Sequence, residues 1–170
     1  MEERHDAEQY FFDAATLDHL AGFLSTFKNP CCLCTPVLGR ALVERGRSVR
    51  ILDVDERFAA LPGFSSYDLE RPRWLGEPFD VIVCDPPFYN VSLSQVFAAV
   101  RTLARYDFTQ PLLVAFLTRR SASLRRSFAP FGLVPTGYHP RYETVEASER
   151  NEIELFGNLG TAAHERLRLV

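Results

Sequence analysis

Phe79-Asp80-Val81-Ile82-Val83-Cys84-Asp85-Pro86-Pro87-Phe88 runs a buried strand straight into a stiff polar corner. The apolar, β-branched run over 79–84 has the composition of a strand inside a sheet. Two prolines then leave few free backbone torsions, and each removes an N–H donor. The corner therefore presents carbonyl oxygens that local structure cannot all use. A carboxylate beside a fixed carbonyl can accept two hydrogen bonds from one amino group, orienting its lone pair outward and raising its nucleophilicity. Phe88, next in line, can stack on a planar target. A turn that ends a buried strand uses the same residue types.

Outward from this stretch, strands and helices alternate. A helix follows it, with Leu93, Val96, Phe97, Val100 and Leu103 on one face. Leu112 to Leu117 is an unbroken apolar run, the pattern of a strand covered on both faces. Leu124 and Phe128 predict a helix before Pro130, and 133–138 and 153–159 read as two closing strands. Upstream, Asp13 caps a helix whose stripe is Leu17, Leu20, Leu24 and Phe27, stopped by Asn29-Pro30. Residues 31–34 form a short strand, and Thr35-Pro36 opens the next helix, with Thr35 as cap and Gly46 at its end. Residues 49–54 and, more weakly, 64–67 complete the set of strands.

This alternation predicts a Rossmann-like, doubly wound α/β fold: a mostly parallel sheet with helices on both faces and an antiparallel strand pair at its C-terminal edge. Such sheets bind ligands beyond the carboxyl ends of their strands. Thr35, Asp53, Asp68 and Asp85 each stand at such an end.

The 170 residues fit one domain, 1–170, with solvated extensions expected before about Gln9 and after about Gly160. The composition, 46% hydrophobic and 24% charged, is that of a soluble globular chain. A net charge of −3 excludes holding nucleic acid by bulk positive charge but leaves room for a local basic patch. No apolar run is long enough to span a bilayer, and the charged start is expected to exclude a secretory leader, so no membrane partner is expected. Cys31, Cys32, Cys34 and Cys84 suit free buried thiols in a reducing, cytoplasmic compartment. Cys31 and Cys34 stand at Cys-x-x-Cys spacing, but no histidine lies nearby in sequence to complete a zinc site, so no metal is expected.

The chain resembles the probable adenine-N(6) methyltransferase family, which includes lysine methyltransferases of elongation factor 1A and a zinc-finger ribosomal RNA adenine methyltransferase. The resemblance runs over about residues 9–159. It is carried by Gln9-Tyr10-Phe11-Phe12-Asp13 with Thr16, Cys34-Thr35-Pro36, Leu52-Asp53-Val54-Asp55 with Arg57-Phe58, Tyr67-Asp68, Asp85-Pro86-Pro87-Phe88, Asn151-Glu152 and Asn158. It implies S-adenosylmethionine as cofactor and methyl transfer to an amino nitrogen, with Asp85, Pro86, Pro87 and Phe88 as the catalytic motif. It also implies a cofactor site of Phe12, Thr16, Thr35, Pro36, Asp53, Asp55 and Asp68, with Asp53 preferred to Asp55 for the ribose hydroxyls.

The general methyltransferase pattern puts a glycine-rich loop after the first strand. Here stand Cys32-Leu33-Cys34-Thr35-Pro36, with Gly39 further on. A helix N-terminus can still receive a carboxylate there. Arg119, Arg120, Arg125 and Arg126 cluster around Ser121 and Ser123; they suit nucleic-acid phosphates or a solvated helix face equally. With Arg141, Phe88 and Tyr89, Arg119 and Arg120 are the expected substrate contacts. The acceptor expected is adenine in RNA or DNA. A protein lysine is the alternative, and a non-catalytic binding module is a rival of another class. The oligomeric state is not legible.

Overall fold

The computed structural model describes residues 1–169; Val170, part of the expected domain, lies outside the described residues. Asp13 caps α1 (Ala14–Leu24) by accepting from the Thr16 N–H at 2.8 Å. The elements that follow are β1 (Pro30–Leu33), α2 (Pro36–Glu44), β2 (Arg50–Asp53), β3 (Phe64–Ser66), β4 (Val81–Cys84) and α3 (Leu93–Leu103). After them come β5 (Leu112–Leu117), α4 (Ser121–Ser127), β6 (Val134–Pro135), β7 (Ile153–Gly157) and α5 (Thr161–Arg168). Ser92 and Gln95 close a reciprocal capping box at the start of α3.

Among the described residues, seven strands join one sheet in the order β3-β2-β1-β4-β5-β7-β6. The first five pair in parallel, and β7 runs antiparallel between β5 and β6. The expected doubly wound fold with an antiparallel C-terminal edge is therefore what the chain adopts. The strand order reverses between β1 and β4, which opens a crevice at their carboxyl ends.

Strand alternation sends neighbouring side chains to opposite faces. Cys31, Leu33, Ile82, Cys84 and Val114 pack against Val96, Val100 and Leu124 on one side. Cys32, Ile51, Val83 and Leu113 pack against Leu20, Leu38, Leu42 and Leu167 on the other. Gly39 lets α2 lie close on β2, since a Cβ there would stand 2.5 Å from Ile51 Cγ1. The four cysteines are free thiols; Cys31, Cys32 and Cys84 are buried in these layers. No helix among the described residues is long and apolar enough to cross a membrane.

Four expectations need correction. Thr35 makes no side-chain capping bond to α2; Pro36 occupies the first turn, and the Thr35 hydroxyl is left for other use. The strand expected over 133–138 is only two residues long. Thr136 bends it by directing both its N–H and its hydroxyl to the Leu155 carbonyl, with Gly137 at φ +82° beyond. The C-terminal segment is no solvated extension: α5 buries Leu167 completely, and the Arg168 guanidinium donates to the Thr136 carbonyl at 2.8 Å. The N-terminal segment is likewise tied down, with Glu3 accepting from the Phe11 N–H at 2.7 Å.

Candidate functional site

Where the sheet reverses, the carboxyl ends of β1, β2 and β4 open into a cavity of about 320 Å³. That is within the range of small-molecule sites, roughly 300–1,000 Å³. The last ladder bonds show how the strands end there. The Cys34 N–H donates to the Leu52 carbonyl at 2.8 Å, and the Asp85 N–H to the Leu33 carbonyl at 3.1 Å. Cys34 then turns left-handed at φ +58°, a conformation glycine adopts more easily. This single residue makes the sharp exit from β1 that a glycine-rich loop would otherwise make. It brings Thr35, Pro36 and the N-terminus of α2 to the cavity wall.

Asp53 and Asp55 part ways. Asp55 is consumed by an ion pair: Arg57 reaches it through Nε at 2.9 Å and Nη2 at 2.7 Å, and Gln9 Nε2 adds a bond at 2.9 Å. The Arg57 guanidinium holds its carboxyl down at about 2. Asp55 does not line the cavity, which corrects its assignment as a cofactor contact. Asp53 does line it. One of its oxygens accepts the Asp55 N–H at 2.8 Å, and burial pushes its carboxyl up to about 6. The cost of burying this carboxylate is thus only partly offset by protein donors, as suits a group that waits for ligand hydroxyls. Asp68 also lines the wall, half-buried, with one oxygen held by the Glu70 N–H at 2.9 Å.

Across the cavity stands Asp85. Tyr142 donates its phenolic hydrogen to Asp85 Oδ1 at 2.9 Å, yet burial still pushes this carboxyl up to about 8. No backbone N–H reaches the Pro86 carbonyl among the described residues, and Asp85 and Pro86 both line the cavity. Phe88 is anchored edge-on against Phe116, their centroids 5.5 Å apart at 88°. Phe12 closes the same wall against Tyr142, 5.0 Å away. A second cavity of about 430 Å³ adjoins the first and shares Tyr10, Phe88, Tyr89 and Tyr142 with it.

Other expected contacts fall elsewhere. Thr16 is buried behind the wall, where its hydroxyl accepts the Arg141 N–H at 3.0 Å; it is a structural link, not a cavity residue. Arg141 joins that link through its backbone and lines neither cavity. Arg119 and Arg120 do not line the cavities either, but they grip the motif loop. Arg120 Nη1 donates to the Phe88 carbonyl at 3.3 Å and Arg119 Nη2 to the Tyr89 hydroxyl at 3.0 Å. Arg125 and Arg126 are exposed on α4.

Three contributors escape sequence reasoning. Glu8, placed in an expected extension, accepts from the N–H groups of Tyr89 and Asn90 at 3.1 and 2.7 Å and so ties the N-terminal segment to the motif loop. Gln9 carries part of the resemblance, but nothing nearby in sequence marks it as the partner of Asp55. Tyr142 reaches Asp85 across 57 residues of sequence because its backbone bridges to Phe12. Neither periodicity nor spacing announces that bridge.

One family description, "Probable N6-adenine methyltransferase", matches residues 3–160. No curated protein matches the sequence significantly. Among solved structures, the chain is similar to a provisionally assigned RNA methyltransferase from Pyrococcus horikoshii, at TM-score 0.60 and 15% identity over 92% of this chain and 89% of that one. It is also similar to magnesium protoporphyrin IX methyltransferase from Synechocystis PCC 6803 with bound S-adenosylmethionine, at 0.54 and 16% over 84% and 77%. A third likeness is to the 16S rRNA methylase RmtB, at 0.52 and 16% over 90% and 78%. At these identities the structural likenesses carry the fold.

Proposed function

This chain belongs to the probable N6-adenine methyltransferase family, and from that premise we propose that it uses S-adenosylmethionine to methylate the exocyclic amine of adenine in RNA or DNA. The observation that carries the reading is one cavity with complementary ends: the α2 N-terminus and Asp53 on one side, the Asp85–Pro86 acceptor pair on the other. The residues fit the cofactor group by group. The N-terminus of α2 would receive its carboxylate, and Asp53 would accept from its ribose hydroxyls. Asp68 would meet its adenine. When bound, the cofactor supplies a methyl group on a sulfonium already activated for displacement.

The protein's share is positioning and exclusion of water. Asp85 and the Pro86 carbonyl accept from the acceptor's amino group and aim its lone pair. Phe88 walls it in. The aromatic side chains of the second cavity support a flat acceptor, and a duplex target would have to be flipped out to reach it. Lysine is the second reading. A neutral base amine can meet this acceptor pair as it stands, whereas a lysine ammonium would first have to lose a proton.

The test is incubation with methyl-labelled S-adenosylmethionine and total cell lysate, followed by nuclease or protease digestion. The reading expects label that nuclease releases. Label released only by protease would establish the lysine alternative. No transfer, with no heat of cofactor binding, would establish the non-catalytic one.

A further inference from the structure

We propose that Tyr142 is a positioning residue for the transfer: its phenol holds one oxygen of Asp85 so that the other, with the Pro86 carbonyl, is left to meet the acceptor amine. The inference rests on the reading of Asp85 given above. The Asp85 N–H is tied to Leu33, and both prolines fix their own φ. The carboxyl rotation of Asp85 is a broad, roughly twofold torsion that packing alone holds poorly. Tyr142 supplies the missing restraint, with its hydroxyl 2.9 Å from Oδ1.

Tyr142 is itself held on both sides. The Asp13 N–H donates to the Arg141 carbonyl and the Glu143 N–H to the Phe11 carbonyl, each at 2.9 Å, which locks the backbone antiparallel to Phe12. Its ring packs on Phe12 and is 9% exposed. It also lines both cavities, so the phenol stands in their shared wall beside the reacting corner. A tyrosine that only filled the core would need no hydroxyl there.

The groups facing Asp85 are few. Tyr142 comes from the segment before β7, and burial pushes its hydroxyl well above its usual range, so it remains a donor. The Cys34 thiol comes from the end of β1; its bond to Cys84, together with burial, pushes it up as well, so it adds no charge at neutral pH. Burial raises Asp85, and the bond from Tyr142 opposes it. Removing the hydroxyl should move Asp85 further upward.

Tyr142→Phe keeps the ring and removes only the hydroxyl. Rates are compared across pH 6–9.5 for the wild type, Tyr142→Phe, Asp85→Asn and the double variant, with cofactor Kd for each. The expected result is an unchanged Kd and a kcat lower by about 10- to 100-fold, the scale of a small misplacement. The acid limb of the profile moves to higher pH, and the further change in the Asp85→Asn background is under about twofold, because the two residues act as one unit. An equal fall in both backgrounds, or an unmoved acid limb, overturns the proposal. The 13C titration of the Asp85 carboxyl provides a readout free of catalysis. An upward shift in Tyr142→Phe supports the contact, and no shift refutes it. A wild type that neither binds cofactor nor transfers methyl would refute the parent reading instead, and the positioning role with it.

Discussion

Asp53→Asn tests the cofactor end of the cavity. The replacement is isosteric, and its amide oxygen can keep the bond now made by the Asp55 N–H at 2.8 Å, so the fold should hold. What is lost is the second carboxylate oxygen and the charge. A hydrogen bond to a charged group contributes about 1.5–3 kcal/mol, or about 12- to 140-fold in Kd. The pH dependence sharpens the test. Burial pushes Asp53 up to about 6 in the free protein, and ribose hydroxyls as donors favour the ionised form. Wild-type affinity should therefore rise with pH through about 6 and level off above it.

A group titrating near 6 is about one-tenth ionised at pH 5, so the advantage over Asp53→Asn should shrink about tenfold between pH 7.5 and 5. The ratio of the two dissociation constants isolates Asp53 from Asp85, which titrates in both proteins. Isothermal titration with S-adenosylmethionine at the two pH values provides the measurement. A ratio near unity at pH 7.5, or one that does not change with pH, would refute the ribose assignment.

The arginine cluster should divide by position. Arg119→Gln with Arg120→Gln should lower kcat, because these side chains hold the Phe88 carbonyl and the Tyr89 hydroxyl; unchanged kcat would contradict that role. Arg125→Gln with Arg126→Gln should leave kcat alone and reduce the salt slope of single-stranded nucleic-acid binding by about 1.4, roughly 0.7 for each phosphate no longer neutralised. An unchanged slope would make them a solvated face. Leu167→Ala should destabilise the fold by about 2–5 kcal/mol, the cost of a large-to-small change at a fully buried site; denaturant unfolding within about 0.5 kcal/mol of wild type would show that α5 is dispensable.

The parts of this protein written in local sequence are the parts that sequence reading reaches. The run over 79–84 and its Asp-Pro-Pro-Phe end need no partner to be recognised, and the alternation of strand and helix patterns carries the mostly parallel sheet with its antiparallel C-terminal edge. Asp53 and Asp55 cannot be told apart by position alone. What separates them is Arg57 and Gln9, and the latter arrives from 46 residues away. Helix α5 hides because its polar sequence has only Leu167 and His164 to bury, too few to draw a stripe. The bond from Tyr142 to Asp85 and the clasp of Glu8 on the motif loop depend on two irregular segments meeting over the sheet, and no periodicity encodes that meeting.

The central claim is that Asp85 meets the acceptor amine while the cofactor is held by the other end of the cavity. It is tested most directly by mass spectrometry of nucleosides from RNA and DNA treated with the cofactor and either the wild type or Asp85→Ala, with cofactor Kd measured on both. The account predicts N6-methyladenine from the wild type, its loss by about 100-fold or more in Asp85→Ala, and closely similar cofactor affinity for the two proteins. Methylation by Asp85→Ala at the wild-type rate would contradict it, and would leave Asp85-Pro86-Pro87-Phe88 as nothing more than the turn that ends β4.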